Sequence, residues 1–373
     1  MSDRGYLREL TVLFGTLGII GFGGPAAHVA LMRREVVERR GWLTDAEMVD
    51  LVGVTSLIPG PNSTELAMLV GMRRAGLTGV LVAGLSFILP AAAVVLALAW
   101  AYVAYGATPT GEAILYGVSP VVVAIVVAAV IGFARTTFRS PLTIALGAAV
   151  ALLWLAGVSE VVLLAGAAAV MAIARLGTRS PMVALLAPLT AGGAAAVDLV
   201  TLGGVFLKAG ALLYGSGYVL VAFLHGDLVE RLGWLTDAQL IDAVAIGQVT
   251  PGPLFTTATF VGYVLAGVPG AIVATVAIFL PAFVIVALVG PWIGRIRDRP
   301  ITAALLDGVN AAAIGLMAAV SVQLGLTAVR DPLTAAIGLV AGVVLITGQA
   351  PSVLLVLAGA AVGLAAAAAG IGP

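Results

Sequence analysis

The sequence predicts an all-α polytopic membrane protein made of two homologous halves, and three observations lead there. Of 373 residues, 61% are hydrophobic and 10% charged, with a mean hydropathy of +1.17; soluble domains carry roughly a quarter charged residues. Apolar stretches long enough to cross a bilayer recur along the whole chain. The chain also repeats itself at an offset of 192 residues: Trp42-Leu43-Thr44-Asp45-Ala46 is identical to Trp234-Leu235-Thr236-Asp237-Ala238. At the same offset Glu38-Arg39 matches Glu230-Arg231, Asp50 matches Asp242 and Phe22-Gly23 faces Tyr214-Gly215. After a one-residue slip, Val70-Gly71 matches Val261-Gly262 and Leu89-Pro90-Ala91 matches Leu280-Pro281-Ala282.

In chain order, Leu10 to Ile20 follows Arg4 and Arg8 and is read as a retained segment, since no small-residue cleavage site follows. Gly21-Phe22-Gly23-Gly24-Pro25 should kink or unwind it. The basic run Arg33 to Arg40 with Trp42 suits a cytoplasmic membrane surface. Thr44 or Asp45 should cap the next helix, with Met48, Leu51 and Val52 on its apolar stripe. Pieces 46–58 and 62–72 reach about 20 Å or less, short of a core of roughly 30 Å. They form one broken span or a re-entrant hairpin, and Arg73 and Arg74 favour the hairpin. Spans follow near 77–104, 112–134, 142–157 and 160–174. The Ala/Gly-rich helices among them allow close backbone approach. The second half runs through 199–224, the broken pair 240–265, then 266–293, 301–326, 333–347 and 352–369. The division is an N-terminal repeat over 1–180, an apolar linker or short span over 181–198, and a C-terminal repeat over 199–373.

Charge orients the halves. The arginine-rich loop 33–40 corresponds to a second-half loop with one arginine, Arg231, whereas Arg295, Arg297 and Arg299 correspond to a joint with no basic residue. The bias swaps between equivalent loops, as it does in inverted repeats. Net charge is zero, so nothing points to nucleic acid or another polyanion. There is no cysteine, which excludes disulfides, thiolate metal sites and thiol redox chemistry. The two histidines, His28 and His225, are read as loop or helix-end residues, and no metal or other cofactor is expected. An intramembrane enzyme would need a nucleophile, metal cluster or acidic pair at helical spacing, and none is apparent.

Pro59-Gly60-Pro61 breaks an apolar run and is followed by Asn62, Ser63, Thr64 and Glu65. Pro251-Gly252-Pro253 repeats the break, preceded by Gln248 and followed by Thr256 and Thr257. Paired interruptions at matching places in two halves are the sequence mark of a transporter's binding site.

Together with Gly21–Pro25, the Trp-Leu-Thr segment, Leu57–Pro61, Phe206-Leu207-Lys208, Tyr214–Tyr218 and Thr250–Phe260, these motifs resemble the chromate ion transporter family, in its long two-half form. The resemblance implies a multi-pass inner-membrane carrier, with lipid bilayer around it, that exports chromate on the ion-motive force and confers chromate resistance. Some members are thought to handle sulfate. A homodimer is compatible with it. A sulfate uptake permease is the nearest rival, and an anion channel a further one.

A tetrahedral dianion needs fixed donors and positive potential. Helices starting after each Pro-Gly-Pro would offer unpaired N–H groups and the positive dipole end. On that reading Gly60, Asn62, Ser63, Thr64, Gly252, Thr256, Thr257 and Gln248 line the substrate site. Lys208, the only lysine in the chain, sits in an apolar run, where a charge costs roughly 2.5–3.5 kcal/mol at a helix centre and is usually functional. The bland reading is that it snorkels. Glu65 is read as a proton-coupling carboxylate, as the partner of Lys208, or as half of a capping box with Asn62. Asp50 and Asp242 are further candidates for proton coupling. Arg33, Arg39, Arg40 and Arg231 are more simply anchors to lipid headgroups.

Overall fold

The computed structural model describes residues 3–22, 24–56, 58–176, 197–214, 217–289 and 300–371. Helices carry the described chain: α1 (Asp3–Ile20), α2 (Gly24–Arg33), α3 (Asp45–Thr55), α4 (Asn62–Tyr105), α5 (Pro109–Thr137), α6 (Pro141–Leu155) and α7 (Glu160–Leu176) in the first half. The second half holds α8 (Leu199–Leu212), α9 (Val219–Leu224), α10 (Asp237–Val249), α11 (Thr257–Val289), α12 (Pro300–Ala328), α13 (Pro332–Ile346) and α14 (Ser352–Ala368). Four of them, within α4, α5, α11 and α12, are long and apolar enough to cross a membrane. The expected segment 181–196 and the basic residues 295–299 lie outside the described residues. The expected span 199–224 is two pieces, α8 and α9, because the chain leaves the helix at Leu213 (φ −73, ψ 117).

Local rules account for the ends. Thr44 caps α3 in a capping box with Glu47, as its sequence predicts. The Thr44 N–H and hydroxyl both donate to the Glu47 carboxyl and hold it below the usual carboxylate range. A π-helical turn follows α2 at Arg34–Arg39 and another follows α9 at His225–Arg231, so the duplication extends to an uncommon local geometry.

Two compact units emerge, and neither is one sequence repeat. The first takes 1–111 from the first half with 197–217 and 243–294 from the second; the other takes 112–196, 218–242 and 295–373. In the first unit α1 packs on α4, α8 on α11, and α4 on α11. Small residues set these approaches: a Cβ on Gly18 would stand 2.6 Å from the Phe87 carbonyl oxygen, and one on its equivalent Gly210 2.1 Å from that of Ile278. The second unit repeats the exchange. Gly117 of α5 meets Gly359 of α14, and Gly308 of α12 meets Ala167 of α7, each backbone to backbone.

Neither α4 nor α11 is straight. At Ala75 (φ −149, ψ 28) and Gly76 (φ 59, ψ −147) the chain of α4 turns back, and Ala266 and Gly267 turn α11 with the same dihedrals to within a few degrees. Gly71 and Gly79, eight residues apart, would be about 12 Å apart along a straight helix. Instead a Cβ on Gly71 would stand 2.2 Å from the Gly79 carbonyl oxygen, and Gly262 and Gly270 are related in the same way (2.3 Å). Each helix is therefore a hairpin, with a short first limb folded on a long second one. The second short piece of the sequence reading is this first limb, 62–74.

The one-residue slip of the repeat has a physical cause here. α11 starts through a 3₁₀ turn, Leu254–Thr256, where α4 starts directly as α-helix. Three 3₁₀ residues rise about 6 Å, as do four α residues, so one residue fewer covers the same distance.

The turn glycines are the sharpest test of this architecture. Gly76 has no atom near its missing Cβ, so Gly76→Ala adds backbone strain alone, about 1–3 kcal/mol for a conformation that glycine nearly monopolises. The detergent-solubilised variant should melt several degrees below the parent, and Gly267→Ala likewise. Gly132→Ala, in open space with helical backbone, should not lower the midpoint.

Candidate functional site

The two Pro-Gly-Pro breaks meet opposite hairpins inside the first unit. The Gly60 N–H donates to the Leu213 carbonyl (2.7 Å), and the Gly252 N–H donates to the Gly21 carbonyl (2.8 Å). Gly60 and Gly252 are equivalent positions, as are Gly21 and Leu213, so these are the same bond made twice in opposite senses. Each break of one half is held by the unwound end of α1 or α8 from the other half. Packing follows suit: a Cβ on Gly60 would stand 3.4 Å from that of Ala282, and one on Gly252 2.5 Å from that of Ala91. Ala91 and Ala282 are themselves equivalents.

The long limbs run antiparallel. Gly84, near the turn of α4, meets Phe283, far from the turn of α11, with ring carbons 2.6 Å from the would-be Cβ. Tyr102, at the far end of α4, meets Phe260 close to the α11 turn, ring centroids 5.0 Å apart. Equivalent limbs in opposite directions are the inverted relation that the charge bias predicts. Ala91 lies halfway along 77–105, about 21 Å from either end at 1.5 Å per residue. Gly252 thus sits near the middle of the long limb of α4, and Ala282, against Gly60, lies as far from the turn of α11 as Ala91 does from that of α4.

Around Gly60 the site is buried and polar. Ser63, Thr64 and Glu65 are buried, and Thr64 and Glu65 have no exposed surface. The Thr64 hydroxyl and both Glu65 carboxyl oxygens have no hydrogen-bond partner among the described residues. Glu65 Oε1 lies 2.5 Å from the place of a Cβ on Gly60, whose φ is +138°. Glycine is needed there twice: for the backbone, and for the carboxyl that fills its missing side chain. Asn62 is half-buried, and Tyr214, half-buried beside Leu213, is within electrostatic reach of Glu65.

Several expectations need correction. Glu65 does not complete a capping box: Pro61 is the cap residue of α4 and no side chain caps it. Nor does Glu65 pair with Lys208, because neither carboxyl oxygen has a hydrogen-bond partner among the described residues; Lys208 is half-buried on α8 and has an interaction of its own. Thr256 and Thr257 are buried near Gly252, but their hydroxyls donate to the Pro253 and Leu254 carbonyls (2.8 Å each). With those protons engaged, donors at that end are the first backbone N–H groups of the 3₁₀ turn, which have no acceptor within it. Gln248 is buried on α10 near this break. Of the three candidate acids, Glu65 is buried in the first unit, Asp242 is buried in the second, and Asp50 is exposed on α3.

Sequence reasoning missed two groups. The Gly21 carbonyl accepts a second hydrogen bond, 2.8 Å from His28 Nε2, and His28 is buried edge-on against Phe87. No pattern marked His28, because its counterpart in the second half is Leu220. Ala91 and Ala282 did carry a signal, the Leu-Pro-Ala match, but no chemistry drew attention to it.

Reciprocal broken helices at the centre of an inverted repeat, in a chain this apolar, define a multi-pass transporter of the inner membrane. The chain belongs to the chromate transporter family, whose model matches residues 8–173 and 200–364. It is 35% identical to a chromate transport protein of Cupriavidus metallidurans, over 96% of this chain and 93% of the relative. It is 32% identical to a probable chromate transport protein of Synechococcus elongatus (90% and 88% covered) and 33% identical to a chromate transport protein of Pseudomonas aeruginosa (87% and 82%). No solved structure matches it significantly.

The contact between Gly252 and Ala91 can be probed by repair. Gly252→Ala should destabilise the solubilised protein, and adding Ala91→Gly should recover part of the loss. The coupling should be about 0.5–3 kcal/mol, as for residues in direct contact, read as non-additive melting midpoints.

Proposed function

We propose that this protein carries chromate across the inner membrane, with the anion bound where the two Pro-Gly-Pro breaks converge. The observation behind this reading is the reciprocal seating of the breaks near mid-span, which aims two helix starts inward from opposite halves. The first N–H groups of α4 and of the 3₁₀ turn before α11, with the Asn62 and Ser63 side chains, would donate to the oxyanion. Lys208 would supply the positive charge that helix ends, at about half a charge each, do not fully provide for a dianion.

Glu65 fits the coupling role. A carboxylate with no exposure and no partner among the described residues costs several kcal/mol to keep ionised, so this packing accommodates the protonated acid. Releasing the proton and admitting an anion both require the seated breaks to part. Proton movement and substrate movement would then share one conformational step, with export of chromate driven by the proton gradient or the membrane potential. A sulfate uptake permease would use the same donors, because sulfate has the same charge and shape.

Counterflow in proteoliposomes separates these readings. Labelled chromate should exchange into chromate-loaded vesicles, and an imposed pH gradient should accelerate net flux. Glu65→Gln should retain counterflow while losing the response to the gradient; a response that survives unchanged removes Glu65 from coupling. Lys208→Gln should weaken apparent affinity at least tenfold, the loss of roughly 1.4 kcal/mol or more expected for one charge-assisted contact. Preference for sulfate in competition would favour the permease, and conductance without coupling would favour a channel.

A further inference from the structure

The second compact unit holds a buried titratable group that the transport reading does not use. His225 opens the π-helical turn after α9 and is 3% exposed. Its Nε2 is 2.9 Å from Asp237 Oδ1 at the start of α10, and its Nδ1 is 3.7 Å from Glu230 Oε1 at the end of the turn. Nδ1 is buried and has no hydrogen-bond partner among the described residues. Both ring nitrogens thus face carboxylates, yet a neutral imidazole donates from only one nitrogen; the protonated ring donates from both.

The first half shows what this position is built for. At the same offset the counterparts of His225, Glu230 and Asp237 are Arg33, Glu38 and Asp45. There Arg33 makes both contacts, pairing with Glu38 and with Asp45 (Nε to Oδ1, 2.8 Å). The duplicated clamp ties the turn after α2 to α3, and the turn after α9 to α10. In the first half it is closed by a permanent cation whose side chain is 46% exposed. In the second it is closed by a titratable ring packed against Trp154, centroids 5.4 Å apart.

We infer that His225 is a proton-binding site which clamps the α9 turn to α10, its two nitrogens holding Asp237 and Glu230 as Arg33 holds Asp45 and Glu38. The ligand is a proton taken up at Nδ1, and it gives Glu230 the donor that the neutral ring lacks. Other charged groups surround it. Asp227, on the same turn, is paired with Arg231 at 2.9 Å. On α7, the Glu160 carboxyl lies 3.2 Å from the place of a Cβ on Gly226. On α12, Thr327 donates to the second Asp237 oxygen at 3.4 Å. α10 runs from this clamp to Val249, three residues before Gly252, so the proton would hold the helix that leads into the second break.

The test is amide hydrogen exchange on the whole protein in detergent or nanodiscs at pH 7.5 and 5.5, with protection corrected for intrinsic exchange. Protection over 225–249 should rise about tenfold at the lower pH, the scale of one added charge-assisted hydrogen bond. Protection over 33–57, clamped by arginine, should not change. His225→Arg should give high protection at both pH values and His225→Gln low protection at both, while His28→Gln, altering the only other histidine, should leave the response intact. A response that persists in His225→Gln, vanishes in His28→Gln, or appears equally in both halves would overturn the assignment. None of these readouts depends on the transported anion.

Discussion

Two backbone hydrogen bonds hold the centre of this protein, from Gly60 to Leu213 and from Gly252 to Gly21. A Pro-Gly-Pro break leaves polar backbone inside an apolar region, where each unpaired group costs several kcal/mol and no lipid can satisfy it. Each half also leaves an unpaired carbonyl where α1 or α8 unwinds. The two deficits complement each other, and the structure resolves both by exchanging partners between halves. Neither half satisfies its own break with its own unwound end: in each bond the donor and the acceptor belong to different repeats. That is why the compact units cut across the sequence repeats.

The exchange also explains where bulk is forbidden. Gly18 and Gly210 bring α1 and α8 against the hairpins, Gly71 and Gly262 bring each first limb against its second, and Ala91 and Ala282 leave room for the opposite glycine. With lipid on one side and helix on the other, such packing replaces the hydrophobic driving force that water supplies to soluble cores. The high content of small residues is thus a requirement of the interlocking.

Much of this was legible in the chain. The duplicated Trp-Leu-Thr-Asp-Ala segment fixed the offset, and the swap of arginines between equivalent loops signalled opposite orientation before any coordinate. The Thr44 cap and the kink after Ile20 followed from local rules. Other features were not legible, because they depend on which half meets which. No spacing rule links Gly60 to Leu213. The place of the Glu65 carboxyl was not legible for the same reason: Asn62 and Glu65 stand at capping-box spacing, but Pro61 takes the cap position and the carboxyl lies against Gly60. Thr256 and Thr257 are read from the sequence as donors to the substrate, and the structure has their hydroxyls bonded to local carbonyls, as such groups readily are at a helix start.

What remains after the symmetry is subtracted is a small set of side chains. Glu65 and His28 belong to the first half and Lys208 and His225 to the second; their counterparts, Leu220 for His28, Thr16 for Lys208 and Arg33 for His225, are different in kind. If the protein alternates as proposed, a scaffold of equivalent halves would offer two arrangements related by exchange of roles, with the same backbone contacts made in each. Only groups that break the equivalence can make one arrangement bind a proton or an anion more tightly than the other, and a ligand shifts an equilibrium only through such a difference. On the proposed reading, the duplicated backbone would supply the two states, and the unduplicated acid, lysine and histidines would supply the preference between them.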